Sequence, residues 1–136
     1  MDKQMDKIFG SIYGAALGDA MGAATETRSA EMIKEYFHGY VDELITPPDD
    51  CFARGCEAGN VTDDFSLAYF TAKELSRCNG KVDNELAKRA VLTWSEYPEF
   101  VRFAGPTTLN AIQKMKGIAA PGKNDYIACD NMKATN

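Results

Sequence analysis

Thr62, Asp63 and Asp64 place a hydroxyl and two carboxylates directly before the apolar run Phe65–Ser66–Leu67–Ala68–Tyr69–Phe70. Hard oxygen donors on adjacent residues suit Mg2+ or Ca2+. Gly59 and Asn60 favour a turn just upstream. Thr and Asp are good helix N-caps, and acidic side chains are stabilised in a first turn by its exposed N–H groups. The segment therefore predicts a helix start. Two readings stay open on these residues alone: an oxygen-donor set for a divalent cation, or a well-capped helix whose carboxylates are simply solvated.

Two further acids lie upstream. Asp19 sits near the end of a glycine- and alanine-rich stretch, where a carboxylate needs partners to offset desolvation. The expectation is that it accepts hydrogen bonds from a neighbouring loop and holds that loop in place. Glu26 follows seven residues later, past the end of the same stretch, where its carboxylate is free to face a cleft.

Other chemistries have little support. His38 is the only histidine, so a Ser/His/Asp or Cys/His nucleophile lacks an obvious base. The four cysteines, Cys51, Cys56, Cys78 and Cys129, form no Cys-x-x-Cys pair, which argues against zinc. A formal net charge of −5 disfavours nonspecific nucleic-acid binding. No apolar run approaches a membrane span, and the start Met1–Asp2–Lys3–Gln4 is too polar for a secretion signal. Free thiols in a reducing cytoplasm are the resulting expectation. At 136 residues, 45% hydrophobic and 26% charged, the chain has the size and balance of one globular domain.

The elements that must position the acids read as helices. Residues 3–22 carry Ile8, Ile12, Ala15, Ala16 and Leu17 at helical spacing. Gly10, Gly14, Gly18 and Gly22 recur every four residues on that helix. Each glycine costs a helix up to about 1 kcal/mol against alanine. A stripe of them predicts close approach by another backbone, and so a central helix buried on several sides. Ser29 caps a helix that stops at Gly39. Residues 40–59 lose periodicity and contain Pro47–Pro48–Asp49–Asp50, which predicts a long surface loop with a short extended piece at residues 40–45. The helix from Thr62 should run to Arg77, largely buried, and end at Asn79–Gly80. Asp83 caps the next helix, with Leu86, Ala90, Val91 and Trp94 facing a core. Pro98 interrupts, and Pro106 opens a last helix with Leu109, Ile112 and Met115 on one face. Residues 121–125 read as a turn, and 126–136 show no strong period. The fold class is therefore all-α, five or so helices joined by capped turns and one long loop.

Gly14–Ala15–Ala16–Leu17–Gly18–Asp19–Ala20–Met21–Gly22, then Glu26, then Thr62–Asp63–Asp64, resembles in order and spacing the N-terminal half of the ADP-ribosylglycohydrolase family. That family includes the enzyme that removes ADP-ribose from dinitrogenase reductase. The resemblance implies a compact multi-helix bundle and a metal-dependent hydrolase that cleaves the glycosidic bond between ADP-ribose and an acceptor. It implies two Mg2+ ions, with Mn2+ as an alternative, held in part by Thr62, Asp63 and Asp64. It gives Glu26 a role in substrate handling or acid/base work. The implied substrate is an ADP-ribosylated protein or a small ADP-ribose compound, and a catalytically silent ADP-ribose-binding module is the alternative. Phe65 stands where family members usually have Thr or Ser, and Ala24 where they often have Pro. Ala134–Thr135–Asn136 resembles the opening of a later family motif. Residues 1–136 would then be the N-terminal part of a single domain, completed by a C-terminal chain of the same protein that brings further metal ligands.

Overall fold

A computed structural model describes residues 2–118. Among them the chain is helical, without strands: α1 (Lys3–Gly22), α2 (Ala30–Tyr36), α3 (Asp63–Arg77), α4 (Asn84–Trp94), α5 (Pro98–Val101) and α6 (Pro106–Met115). The turn expected at residues 121–125, the aperiodic tail, Cys129 and the Ala134–Thr135–Asn136 motif lie outside the described residues. The chain divides into two compact units, residues 1–65 and 66–136.

Local rules set most helix ends. Asp2 accepts from the Gln4 N–H at the start of α1, and Ser29 accepts from the Met32 N–H at the start of α2. Asp83 accepts from the Leu86 N–H at 2.9 Å and starts α4. Pro98 does more than interrupt: as a first-turn residue it opens the short α5. Asn79 and Gly80 close α3 with φ of 50° and 78°, and the Gly80 N–H donates to the Leu75 carbonyl.

The first unit is built on small residues. Ala20, Ala23 and Ala24 at the end of α1 are buried, together with Cys51, Ala53 and Cys56 from the stretch read as a surface loop. That stretch is therefore part of the core, and residues 40–45 carry no strand. It closes on itself through successive turns, Cys51 N–H to Pro48 O and Cys56 N–H to Ala53 O, which satisfies its buried backbone without helix or strand.

α1 departs most from expectation. Only Ala20 of its residues is buried. Met5, Ile8, Phe9, Ile12, Tyr13 and Leu17 are exposed, Tyr13 at 71%. A Cβ at Gly10, Gly14, Gly18 or Gly22 would meet nothing within 4 Å. Among the described residues no backbone approaches the stripe, so the helix is an open face and not a buried centre.

The second unit has a conventional core. Phe70, Trp94 and Ile112 are buried against Leu67, Val91, Phe100, Val101 and Ala104, and α4 packs on α6. Trp94, fully buried, donates its Nε1–H to Ser66 Oγ at 2.8 Å. Glu74 is buried and paired with Arg77 and Arg89. Arg77 foremost holds its carboxyl below the usual range. The expectation of a largely buried α3 is corrected: Ser66, Phe70 and Glu74 are buried, whereas Ala68, Tyr69, Thr71 and Ala72 are exposed. One stripe of the helix meets the core, as an amphipathic surface helix requires.

Candidate active site at the start of α3

Asp19 ends up where its burial demanded, against α3. Its Oδ2 accepts from the Thr62 N–H at 2.8 Å and from the Phe65 N–H at 3.2 Å. Its Oδ1 accepts from the Thr62 hydroxyl at 2.5 Å. Phe65 is the third residue of α3, so Asp19 satisfies the donors that an adjacent cap would normally take. The helix start is as predicted, but its cap comes from 43 residues upstream and not from Thr62. Thr62 is itself buried at 6% exposure, its hydroxyl donating a hydrogen bond to Asp19. Its oxygen lone pairs remain available as acceptors.

Asp63 and Asp64 occupy the first turn of α3, Asp63 half-buried and Asp64 exposed. Burial pushes the Asp63 carboxyl up to about 6, against a backbone hydrogen bond that lowers it. The negative charges of Asp64, Glu26 and Asp19 push it the same way. Glu26 lies just beyond α1, its N–H closing a turn onto the Gly22 carbonyl at 3.0 Å. The residue is largely solvent-facing, yet desolvation first, then the charges of Asp64 and Asp19, hold its carboxyl above the usual range. The four acids thus share one electrostatic environment within the first unit.

Among the described residues, no three His, Cys, Asp or Glu side chains are gathered tightly enough to hold a metal by themselves. The arrangement offers instead two carboxylates and one hydroxyl oxygen at a helix start, with a third carboxylate, Glu26, on the turn opposite in sequence.

Sequence reasoning missed the neighbours of Glu26. Arg28 pairs with Asp50 at 2.5 Å. Arg28 also lies 4.6 Å from the Tyr36 ring centroid. No local pattern announces a pair 22 residues apart. Asp49 remains exposed, and His38 is an exposed residue with φ of 58° just after α2.

A family model described as ADP-ribosylglycohydrolase matches residues 1–135. The chain belongs to the ADP-ribosylglycohydrolase family. No curated protein and no solved structure matches it. Family membership agrees with the all-α fold and identifies a hydrolase of the ADP-ribosylglycohydrolase type at the level of the family. Within this member of the family, Phe65 stands half-buried directly after Asp64 and spends its backbone N–H on Asp19. Ala24, two residues before Glu26, is fully buried.

Proposed function

We propose that this chain carries the Mg2+-binding and acid/base half of an ADP-ribosylglycohydrolase site, acting on an ADP-ribosylated protein or a small ADP-ribose compound. The observation that carries the reading is the convergence at Thr62. Asp19 accepts a hydrogen bond from the Thr62 hydroxyl beside the first-turn carboxylates of Asp63 and Asp64, and burial, with the charges of Asp64, Glu26 and Asp19 added, raises the Asp63 carboxyl.

This donor set fits a hard divalent cation. Its ligands are all oxygen, one neutral and two anionic. Burial first, then like-charge repulsion, raises Asp63 and Glu26, and a cation would offset the repulsive part. Thr62, Asp63 and Asp64 would hold the metal, and three protein oxygens leave room for water and ribose hydroxyls around two ions. When bound, Mg2+ supplies charge that orients the sugar hydroxyls and acidifies water.

The reaction breaks a bond at the ribose anomeric carbon through an oxocarbenium-like transition state. Glu26 would take a proton from the attacking water or a substrate hydroxyl. A carboxyl raised above its ordinary range is better matched to that task near neutral pH. Asp19 would keep Thr62 and the first turn of α3 fixed while charge changes around them.

The test combines Mg2+ calorimetry with turnover of an ADP-ribosylated peptide. Asp63→Ala and Asp64→Ala should abolish Mg2+ binding, and Asp49→Ala should not. Unchanged Mg2+ affinity in both first-turn variants overturns the metal assignment. Mg2+ binding without turnover points to the silent ADP-ribose-binding module.

A further inference from the structure

The turn that carries Glu26 is gripped at both ends by two successive residues of the 47–56 stretch. At one end, Cys51 donates its Sγ–H to the Ala23 carbonyl at 3.8 Å. At the other, Asp50 accepts from Arg28 Nη2 at 2.5 Å. Glu26 lies between those two anchors. Within the turn, Thr25 and Glu26 both donate their N–H to the Gly22 carbonyl, and the Arg28 N–H donates to Thr25 O at 3.1 Å. Thr27 takes a left-handed φ of 65°, a conformation that costs a branched residue energy and persists only where surroundings impose it. Arg28 is the anchor best placed to impose it. Its side chain is 8% exposed, although it is charged, and it packs over the Tyr36 ring. A buried guanidinium is held by its partners, and loss of one leaves an uncompensated charge.

We propose that Arg28 is a positioning residue: by pairing with Asp50 and stacking on Tyr36 it fixes the 23–28 turn and so sets where the Glu26 carboxylate stands. The proposal rests on the proposed role of Glu26 and adds what holds Glu26 in place. Arg28 itself touches no reacting atom. The pairing matters because small displacements of an acid/base group cost rate steeply. Lysine cannot replace it fully, since its ammonium lacks the planar stacking surface of a guanidinium.

The test uses the full chain. Arg28→Gln, Asp50→Ala, the double variant and Arg28→Lys are compared by amide hydrogen exchange and by kinetics. The expected result is that Glu26 and Arg28 amides exchange at least about tenfold faster in Arg28→Gln and Asp50→Ala, while α4 and α6 amides keep their rates. Turnover should fall by about tenfold to a hundredfold with KM and Mg2+ affinity unchanged. The double variant should be no worse than Arg28→Gln alone, because the ion pair is already lost there. Arg28→Lys should recover part of the loss.

Unchanged exchange at Glu26 and Arg28 in Asp50→Ala overturns the proposal, as does a uniform rise across all helices. A loss expressed in KM alone does the same. Asp50 is 62% exposed, so its variant carries the test if Arg28→Gln fails to fold. Glu26→Gln, run in parallel, separates the two readings. Full activity there removes the role of Glu26, whereas the exchange data still decide whether Arg28 holds the turn.

Discussion

The Thr62 hydroxyl donates a hydrogen bond to Asp19 at 2.5 Å, and the same carboxylate accepts the Thr62 and Phe65 backbone N–H groups. One acid therefore orients a proposed ligand oxygen and caps the helix that bears the other two. Asp19→Ala should lower unfolding stability by about 1–3 kcal/mol, the scale for stranding partly buried donors and losing a cap. Mg2+ affinity should fall with it even though Asp19 is not among the proposed ligands. Denaturant unfolding alongside calorimetry checks both, and wild-type behaviour in both would reduce Asp19 to a bystander.

Protonation and metal should compete at Asp63. Its folded carboxyl keeps a proton up to about 6, against an ordinary value of 3.8. Between those values the folded chain binds more protons than the unfolded one. Stability without metal should therefore fall as pH rises through that window. A cation needs the ionised form, so Mg2+ affinity should drop by about tenfold per pH unit below the folded pKa. Thermal melts with and without Mg2+ at pH ~5 and ~7.5 read this out. An equal Mg2+ shift at both pH values would be the contrary result.

Glu26→Gln should keep the fold and the Mg2+ affinity and lower turnover by roughly a hundredfold or more, the usual scale for losing an acid/base group. The residue is solvent-facing, so a matching loss of stability would signal a structural role instead.

Ser66 and Trp94 form a buried polar contact in the second unit. Ser66→Ala strands the indole N–H and should cost about 1–3 kcal/mol. Adding Trp94→Phe should cost less in that background than in the wild type, apart from packing, because the stranded donor is gone. Strict additivity in a double-mutant cycle would deny the coupling.

The open face of α1 should be visible in solution. Residues 1–136 alone should bind a hydrophobic dye through Ile8, Phe9, Ile12 and Tyr13. Phe9→Lys with Tyr13→Lys should remove most of that signal. Dye binding unchanged by the double substitution would place the exposed surface elsewhere.

Much of this was legible in the sequence wherever cause and effect are a few residues apart. Ser29, Asp83, Pro106 and the Asn79–Gly80 stop each act within one turn, and each sits where expected. Asp19 was readable in kind, since a carboxylate among alanines and glycines needs donors, but its cap of α3 was not, because cap rules look to adjacent residues. The glycine stripe misled about α1: spacing reveals what a helix could pack against, and not whether that partner lies among the described residues. The placement of Thr62, Asp63 and Asp64 at a helix start was visible, whereas the Arg28–Asp50 pair left no periodic trace.

Aperiodic stretches usually tolerate insertion and protease nicking. Residues 47–56 should resist both, since Cys51 and Ala53 are 4% and 0% exposed and an added residue there would displace core and turn alike. Tolerance to both should move upstream, toward Tyr40, which is 97% exposed. The stretch without helix or strand is thus one of the least editable parts of the first unit.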